Sequence, residues 1–230
     1  MCGLFGYITK TGGGPDLDLL RRIATETEQR GDHAFGLAWI DQAGRLQMFK
    51  RPGAVSARLG DLDRCRHAQA VIGHCRWATH GSYSDNDNNH PHSVGRGWLA
   101  HNGVVRNYRE LARQYGLVRR TACDTESLAL LMAKLPGSLL SRATRAVVAV
   151  DGPLAILGLW ANPLRLVIAR RGNPLCCGET DDGAYLGSLA GELPGHSRPF
   201  RDDQAGLITF NEGIECQWQA IPRAPLTPLF

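Results

Sequence analysis

The order of apolar and polar positions divides the chain into a strand-rich start, a helical middle and a strand-rich end. Short apolar runs bounded by glycine, proline, asparagine or aspartate are typical of strands, and apolar residues recurring every three or four positions indicate helices. Strands followed by helices and then strands again favour an α+β fold over alternating βαβ units. The predicted strands cover residues 4–8, 35–40, 46–50, 70–73, 98–100, 154–160, 166–169, 184–187, 207–210 and 216–219, with a hairpin turn at residues 41–44.

Four helices are predicted from the periodic segments and from the capping residues before them. The first follows the N-cap Asp16 and runs to about residue 29. Asn107, with a glutamate three residues on, shows a capping pattern for a second helix that ends at residue 115. Asp124 is placed to cap a third helix, and the fourth covers residues 138–148.

A polar, histidine-rich loop is predicted at residues 74–92, between two strands, and loops of this kind often carry function. No linker-like segment or change of composition divides the chain. We therefore expect one domain over residues 1–230.

Composition excludes several classes of protein. With 43% hydrophobic and 21% charged residues, the chain is neither disordered nor fibrous. The net charge of +4 comes from scattered basic residues, so we expect no nucleic-acid partner. An apolar run long enough to span a membrane and a secretory signal pattern are both missing from the sequence, so no membrane association is expected. Seven irregularly spaced cysteines favour a reducing, cytoplasmic location.

Cys2 directly follows the initiator methionine and precedes the first predicted strand. If Met1 is removed, Cys2 supplies a thiol nucleophile and also a free α-amine, whose pKa of about 8 suits a general base near neutral pH. A small residue at position 2 is also common without any catalytic reason. Evidence from other residues is needed to distinguish a catalytic Cys2 from a small residue at position 2 without catalytic function.

Three further positions carry groups that recognise charge, and each has a plain structural alternative. Arg76 could clamp a carboxylate with its planar donors or form a surface salt bridge. Asn102 and Gly103 could hold an oxyanion with an amide group and a backbone N–H, or form a hairpin turn. Asp124 could pair with an ammonium group or act only as a helix cap.

Taken together, these segments resemble the class II glutamine amidotransferase family, whose members are N-terminal nucleophile hydrolases. The likeness is greatest to the glutaminase domain of glucosamine-6-phosphate synthase. It covers roughly residues 2 to 215. The segments that carry it are Cys2-Gly3-Leu4-Phe5-Gly6, residues 30–36, 73–81, 89–92 and 101–108, Asp124-Thr125-Glu126, and residues 168–175 and 184–188.

The resemblance implies a fold and a role for each matching residue. The implied fold is a four-layer αββα sandwich with two antiparallel sheets, and the implied activity is hydrolysis of the glutamine side-chain amide without a metal or organic cofactor. Cys2 would be the nucleophile, and Asn102 with Gly103 would form the oxyanion hole. Arg76 would bind the glutamine carboxylate and Asp124 its ammonium group. The remaining matches are Thr79 and His80, in the loop that would close over glutamine. Trp77 would face the ammonia exit, and Arg30 and Gly31 would be supporting residues.

The chain departs from the family pattern in two ways. His33 stands where the family usually has an aspartate, after Arg30, Gly31 and Asp32. The sequence also ends at Phe230, where multidomain members continue into an ammonia-consuming synthase. We therefore expect a separate synthase subunit to accept the ammonia.

Other functions remain open at this point. An amidohydrolase acting on another γ-glutamyl or amide substrate, or a degenerate glutaminase fold used for binding or regulation, would share these segments. A zinc hydrolase is a further alternative, although no recognised ligand spacing appears. Its ligands would come from the set His74, Cys75, His80, His90, His92 and His101.

Overall fold

The computed structural model describes residues 1–210 and 213–222. Within these ranges it has thirteen strands, four α-helices and two 3-10 helices, at Ser56–Cys65 and Asn86–Asn88. The α-helices are α1 (Leu17–Glu28), α2 (Tyr108–Tyr115), α3 (Thr125–Lys134) and α4 (Leu139–Ala149). The strands are β1 (Gly3–Thr9), β2 (Ala34–Ile40), β3 (Leu46–Pro52), β4 (Ala70–Arg76), β5 (His92–Val94), β6 (Gly97–Gly103), β7 (Leu154–Trp160), β8 (Arg165–Arg171), β9 (Cys176–Glu179), β10 (Gly183–Gly187), β11 (Arg198–Pro199), β12 (Gln204–Phe210) and β13 (Ile214–Ala220).

The strands form two antiparallel sheets that pack face to face. The seven-stranded sheet has the order β11-β9-β10-β1-β4-β2-β3, and the six-stranded sheet has the order β13-β12-β8-β7-β6-β5. Helix α1 covers the outer face of the first sheet, and α3 and α4 cover the outer face of the second. The predicted α+β, four-layer αββα sandwich is therefore confirmed.

Burial on both faces explains the composition of the central strands. Every residue of β1, β2, β4 and β7 is buried, because each sheet lies between the opposite sheet and a helical layer. Such strands need nearly continuous apolar sequence rather than alternation. One apolar cluster fills the space between the sheets, and two others fill the spaces under the helices.

The structure lengthens two strands that the sequence predicted as short. Strand β4 continues through Arg76, so the predicted loop from residue 74 is wrong at its start. Strand β6 continues through Gly103, so Asn102 and Gly103 end a strand and do not form a hairpin turn. Both extensions contain polar side chains that are buried at the end of the sheets, where the apolar pattern gives no signal. Strands β5, β9 and β11 were also missed, since they have only two to four residues each.

The structure confirms one of the predicted helix caps and corrects another. Asp16 is confirmed, because its carboxylate accepts the backbone N–H groups of Asp18 and Leu19. The prediction for Asn107 is wrong in mechanism: its amide donates to the Ala149 carbonyl and accepts from the Asp151 N–H, which ties α2 to the end of α4.

Helix length bears on membrane association. The helix α1 has 12 residues, which corresponds to about 18 Å at 1.5 Å per residue. A bilayer core is about 30 Å thick. Within residues 1–210 and 213–222 no helix is both long and apolar enough to cross a membrane.

Close packing of β1 against β4 generates a first prediction. A Cβ at Gly73 would overlap the ring of Phe5, a buried residue opposite it in the sheet. We expect Gly73→Ala to lower the free energy of unfolding by about 1–3 kcal/mol, the usual effect of overpacking, as measured by urea denaturation. Gly13→Ala is the control, since its Cβ would have only the Thr11 hydroxyl as a neighbour, at 3.6 Å. Equal effects of the two substitutions would contradict this account.

Candidate active site

Cys2 lies at the entrance to β1, beside the end of β4. The register pairs Gly3 with Cys75, which brings the residues after β4 next to Cys2. The Cys2 thiol lies 3.3 Å from the backbone nitrogen and 3.3 Å from the backbone oxygen of Trp77. Its backbone carbonyl accepts a hydrogen bond of 2.8 Å from Nε of Arg30. The nucleophile predicted from the sequence is thus held on both its side chain and its backbone.

The charge environment of Cys2 includes two of the predicted substrate-binding residues. Burial raises the pKa of the Cys2 thiol, and the hydrogen bond from the Trp77 backbone acts in the opposite direction. The positive charge of Arg76 lowers this pKa, whereas the negative charge of Asp124 raises it. Arg76 and Asp124 therefore both act electrostatically on the thiol.

Gly31 lets the backbone after β4 come close to the end of α1. A Cβ at Gly31 would lie 2.5 Å from the nitrogen of Trp77 and 2.6 Å from the carbonyl carbon of Arg76. Any larger residue would push this backbone away, and with it the atoms that contact Cys2. Gly31 and Arg30 therefore both contact the backbone around Cys2, and their supporting role stays a prediction.

Arg76 is buried, with 2% of its surface exposed. Its guanidinium donates to Oδ1 of Asn89 at 2.7 Å and to the backbone carbonyls of His80 and Gly81, at 2.5 and 3.1 Å. The surface salt bridge considered for Arg76 is therefore wrong. The guanidinium of Arg76 points towards backbone oxygens of the segment that follows Arg76.

This segment, residues 77–83, is held from one side by an aromatic stack. The ring of His33 lies between the rings of Trp77 and Tyr83, at centroid distances of 4.3 and 5.0 Å. Nδ1 of His33 also accepts the backbone N–H of Ala78 at 3.1 Å. His33, which stands where an aspartate was expected, thus supports this segment as a hydrogen-bond acceptor and as a stacking partner. Trp77 and Thr79 are exposed on the segment.

Asp124 is buried before α3, but it does not cap the helix. Its Oδ2 accepts the backbone N–H of Val105 at 2.7 Å, and its Oδ1 lies 3.8 Å from Nδ1 of His80. The helix-cap interpretation is wrong because the carboxylate turns towards the end of β6 and the segment of residues 77–83. This orientation leaves it beside His80, another of the predicted substrate-binding residues.

Asn102 and Gly103 lie at the end of β6, in the second sheet. Nδ2 of Asn102 is buried and has no hydrogen-bond partner among residues 1–210 and 213–222. The Asn102 carbonyl accepts from Nδ2 of Asn173 at 2.8 Å. Gly103 has φ +143°, and a Cβ there would lie 2.5 Å from the carbonyl oxygen of Pro153. The two predicted oxyanion donors are therefore fixed in position, and the amide of Asn102 is free to donate.

Four histidines form a buried group behind the site: His74, His90, His92 and His101. Burial lowers the pKa of all four, to about 3 for His92. They are therefore neutral at physiological pH. Cys75, from the ligand set considered for zinc, lies on the other face of β4, where its thiol contacts the carbonyl of Ala24 in α1.

Two residues of the site had no role in the sequence analysis. Asn89 holds the Arg76 guanidinium, and Asn173 holds the Asn102 carbonyl. Both lie in segments that carry the family resemblance, and that was the only available signal. A cavity of about 880 Å³ lies elsewhere, between the two sheets around Cys177 and Trp218, and contains none of the predicted site residues.

Comparisons with known proteins identify relatives in sequence and in fold. No protein-family model matches the chain. The chain is 35% identical to the glutamine–fructose-6-phosphate aminotransferase of Corynebacterium efficiens, in an alignment that covers 91% of this chain and 36% of that protein. It is 38% identical to the enzyme of the same name from Symbiobacterium thermophilum, over 84% of this chain and 32% of that protein. The chain thus spans about a third of the length of these curated relatives.

Solved structures show the same fold. The glutamine phosphoribosylpyrophosphate amidotransferase of B. subtilis aligns with a TM-score of 0.74 and 22% identity, over 94% of this chain and 49% of that one. A glutamine aminotransferase class-II domain protein from Silicibacter pomeroyi aligns with a TM-score of 0.62 and 16% identity, over 97% and 100% of the two chains. The resemblance drawn from the sequence is confirmed: the chain is homologous to part of the glutamine–fructose-6-phosphate aminotransferases and has the class II amidotransferase fold.

The opposite effects of Arg76 and Asp124 on the Cys2 thiol generate a second prediction. Arg76→Gln removes a charge that lowers the pKa of Cys2, so at a fixed pH the thiolate fraction falls and alkylation by iodoacetamide slows. Asp124→Asn removes a charge that raises this pKa, so alkylation speeds up. The measurement is the pH profile of Cys2 alkylation, followed by peptide mass spectrometry.

Exposed Cys216 is the internal control for this experiment, because neither Arg76 nor Asp124 influences its pKa. Its alkylation rate should be the same in all three proteins. A shift of the Cys2 profile in the same direction for both variants would contradict the electrostatic account.

Proposed function

We propose that this chain is a glutaminase domain that hydrolyses the side-chain amide of glutamine through a Cys2 thioester and supplies ammonia to a separate synthase. The observation that carries the proposal is the buried Nδ2 of Asn102, which has no hydrogen-bond partner in the described part of the chain, in a site that also contains the Cys2 thiol. An unsatisfied buried donor costs about 1–3 kcal/mol. A developing oxyanion on the substrate would satisfy it.

Arg76 and Asp124 bind the two charged ends of glutamine in this proposal. A guanidinium matches the two oxygens of the α-carboxylate, and a buried carboxylate pairs with the α-ammonium group. Because Arg76 now donates to the carbonyls of His80 and Gly81, substrate binding exchanges these contacts for the carboxylate. Thr79 and His80 then close over the bound glutamine, and Trp77 faces the ammonia exit.

The first chemical step requires a free α-amine on Cys2. This amine takes the thiol proton, and the thiolate sulfur attacks the amide carbon of the substrate. The carbonyl oxygen becomes negative and is held by Nδ2 of Asn102 and the N–H of Gly103. Collapse of this intermediate breaks the C–N bond, and the amine returns the proton to the leaving nitrogen. The products of the step are ammonia and a γ-glutamyl thioester.

Water completes the reaction. The same amine takes a proton from water, the oxygen attacks the thioester carbon, and the C–S bond breaks with return of the proton to sulfur. The buried histidines are poor candidates for the base, since their pKa values are lowered by burial and His74 and His101 already have hydrogen-bond partners. The α-amine of Cys2 is therefore the base in this proposal.

The ammonia acceptor is the part of the proposal that depends on relatives. The curated relatives are aminotransferases of which this chain spans about a third, so in them the matched segment is joined to a larger remainder. We place the corresponding synthase on a separate cytoplasmic protein and propose a single domain over residues 1–230. Hydrolysis of other γ-glutamyl amides in preference to glutamine would instead favour the amidohydrolase alternative.

Removal of Met1 is the third prediction. A retained Met1 converts the Cys2 amine into a peptide nitrogen that cannot act as a base. Active protein should therefore have the intact mass of a chain that begins at Cys2, and it should release ammonia and glutamate from glutamine. Full activity in a preparation in which every molecule keeps Met1 would rule out the proposed base.

The oxyanion hole generates the fourth prediction. Asn102→Ala should lower kcat for glutamine hydrolysis by about 10²–10³-fold, the usual effect of deleting one such donor, with little change in glutamine binding. Asn107→Ala is a matched control, because Asn107 joins α2 to α4 and takes no part in the site. An unchanged kcat in folded Asn102→Ala would exclude this role, and a binding-only fold would show no hydrolysis in any of these proteins.

A further inference from the structure

Two histidines and a cysteine meet behind the site, and the proposed reaction uses none of them. The side-chain donor atoms of His90, His92 and Cys123 all lie within 4.8 Å of one another. The three residues are buried, with exposed fractions of 4%, 5% and 2%. They come from separate parts of the chain: His90 lies just before β5, His92 begins it, and Cys123 precedes Asp124, so only the fold brings them together.

Hydrogen bonding fixes which nitrogen of His90 carries a proton. The carbonyl of His101 can only accept, so Nε2 of His74, 3.0 Å away, donates to it. His74 is neutral, because burial and the nearby charge of Arg76 hold its pKa well below the usual range. Its Nδ1 therefore accepts, and Nδ1 of His90, 3.1 Å away, donates. Neutral His90 is left with a lone pair on Nε2.

The Nε2 lone pair of His90 accepts no hydrogen bond from the described residues. Nε2 of His90 and Nε2 of His92 are both buried without a hydrogen-bond partner among the described residues. The Cys123 thiol lies 3.8 Å from Oδ1 of Asp124 and also interacts with the backbone and the hydroxyl of Thr125. Buried polar atoms are normally paired, so two unpaired nitrogens beside a thiol call for an explanation.

We propose that His90 Nε2, His92 Nε2 and Cys123 Sγ bind a zinc ion. Two imidazoles and a thiolate are ligands that zinc prefers, whereas calcium and magnesium require oxygen. On binding, the Cys123 thiol loses its proton to solvent, and the sulfur forms a bond to the metal without any change of oxidation state. In zinc proteins, a hydrogen bond from the second ring nitrogen of a histidine ligand fixes the orientation and the tautomer of that ring. The hydrogen bond from Nδ1 of His90 to His74 would do this for His90.

The charges around the three proposed ligands act on zinc affinity in opposite directions. Arg76 and Lys50 act on His92 and oppose a cation, whereas the negative charge of Asp124 acts on Cys123 and favours one. A zinc ion with one thiolate ligand carries less net charge than the free ion, which reduces the repulsion. Binding is therefore expected to be tighter for zinc than for a metal that the thiolate does not ligate well.

The position of the site gives it a consequence, which rests on the proposed function. His90 follows Asn89, the partner of Arg76, and Cys123 precedes Asp124. An ion joining the two segments would hold the carboxylate-binding and the ammonium-binding residues at a fixed separation. Zinc would then act on the affinity for glutamine and not on the chemical step.

Metal binding itself is tested without glutamine. The full chain carrying Cys2→Ser, which removes the nucleophile as a competing thiol, should retain one zinc per chain after dialysis. With cobalt in place of zinc it should show visible d–d bands and a near-ultraviolet sulfur-to-metal band. Adding Cys123→Ser should abolish the sulfur band and the bound zinc, and adding Cys216→Ser, at an exposed cysteine, should leave both unchanged.

His92→Gln in the same background gives a second route if Cys123→Ser fails to fold, with folding checked by circular dichroism. It should release zinc while leaving the thiol in place. Absence of retained zinc in the Cys2→Ser chain, or retention after Cys123→Ser or His92→Gln, would overturn the proposal. Glutamine hydrolysis by the unaltered chain is measured separately, so either proposal can fail without the other.

Discussion

The antiparallel pairing of β1 with β4 is the constraint on which the site depends. It places Gly3 opposite Cys75, so the residue before β1 must lie beside the residues after β4. Side chains alternate along a strand, and a shift of one residue would exchange the two faces of β4. Arg76 would then turn towards α1, and Cys75 would face the second sheet. The buried core on both faces of β1 and β4 makes such a shift prohibitively unfavourable, so packing far from Cys2 fixes the geometry around it.

The polar groups of the molecule are distributed unevenly as a result. The middle of the sandwich is apolar, while one end collects Arg76, Asp124, Asn102 and the histidines, all of them buried. Most of these groups have partners, such as Asn89 for Arg76 and Thr125 for His101. Among the described residues, Nδ2 of Asn102 and Nε2 of His90, His92 and His101 have no hydrogen-bond partner, and a substrate or an ion could supply the missing contacts there.

Sequence patterns predicted the fold well where burial follows hydrophobicity. The apolar runs gave the long strands and the periodic segments gave all four helices, to within a few residues. The patterns failed where buried polar residues extend a strand, as in His74–Arg76 of β4 and Asn102 of β6, because a polar residue is normally a sign of a loop. Asp124 shows the same limit: an aspartate before a helix is usually a cap, and only tertiary contacts show that this one accepts from Val105. The grouping of Cys123 with the two histidines depends on long-range contacts that no local pattern records.

The hydrogen bonds from Arg76 to the carbonyls of His80 and Gly81 would compete with any ligand that binds this guanidinium. A ligand that needs this guanidinium binds only the fraction of molecules in which those contacts are open, and its apparent dissociation constant is the intrinsic one divided by that fraction. Each further tenfold preference for the self-bound state weakens apparent binding tenfold, or by about 1.4 kcal/mol. His33, which stacks against Trp77 and Tyr83 of this segment, would therefore change how much of such a ligand is needed for half-saturation.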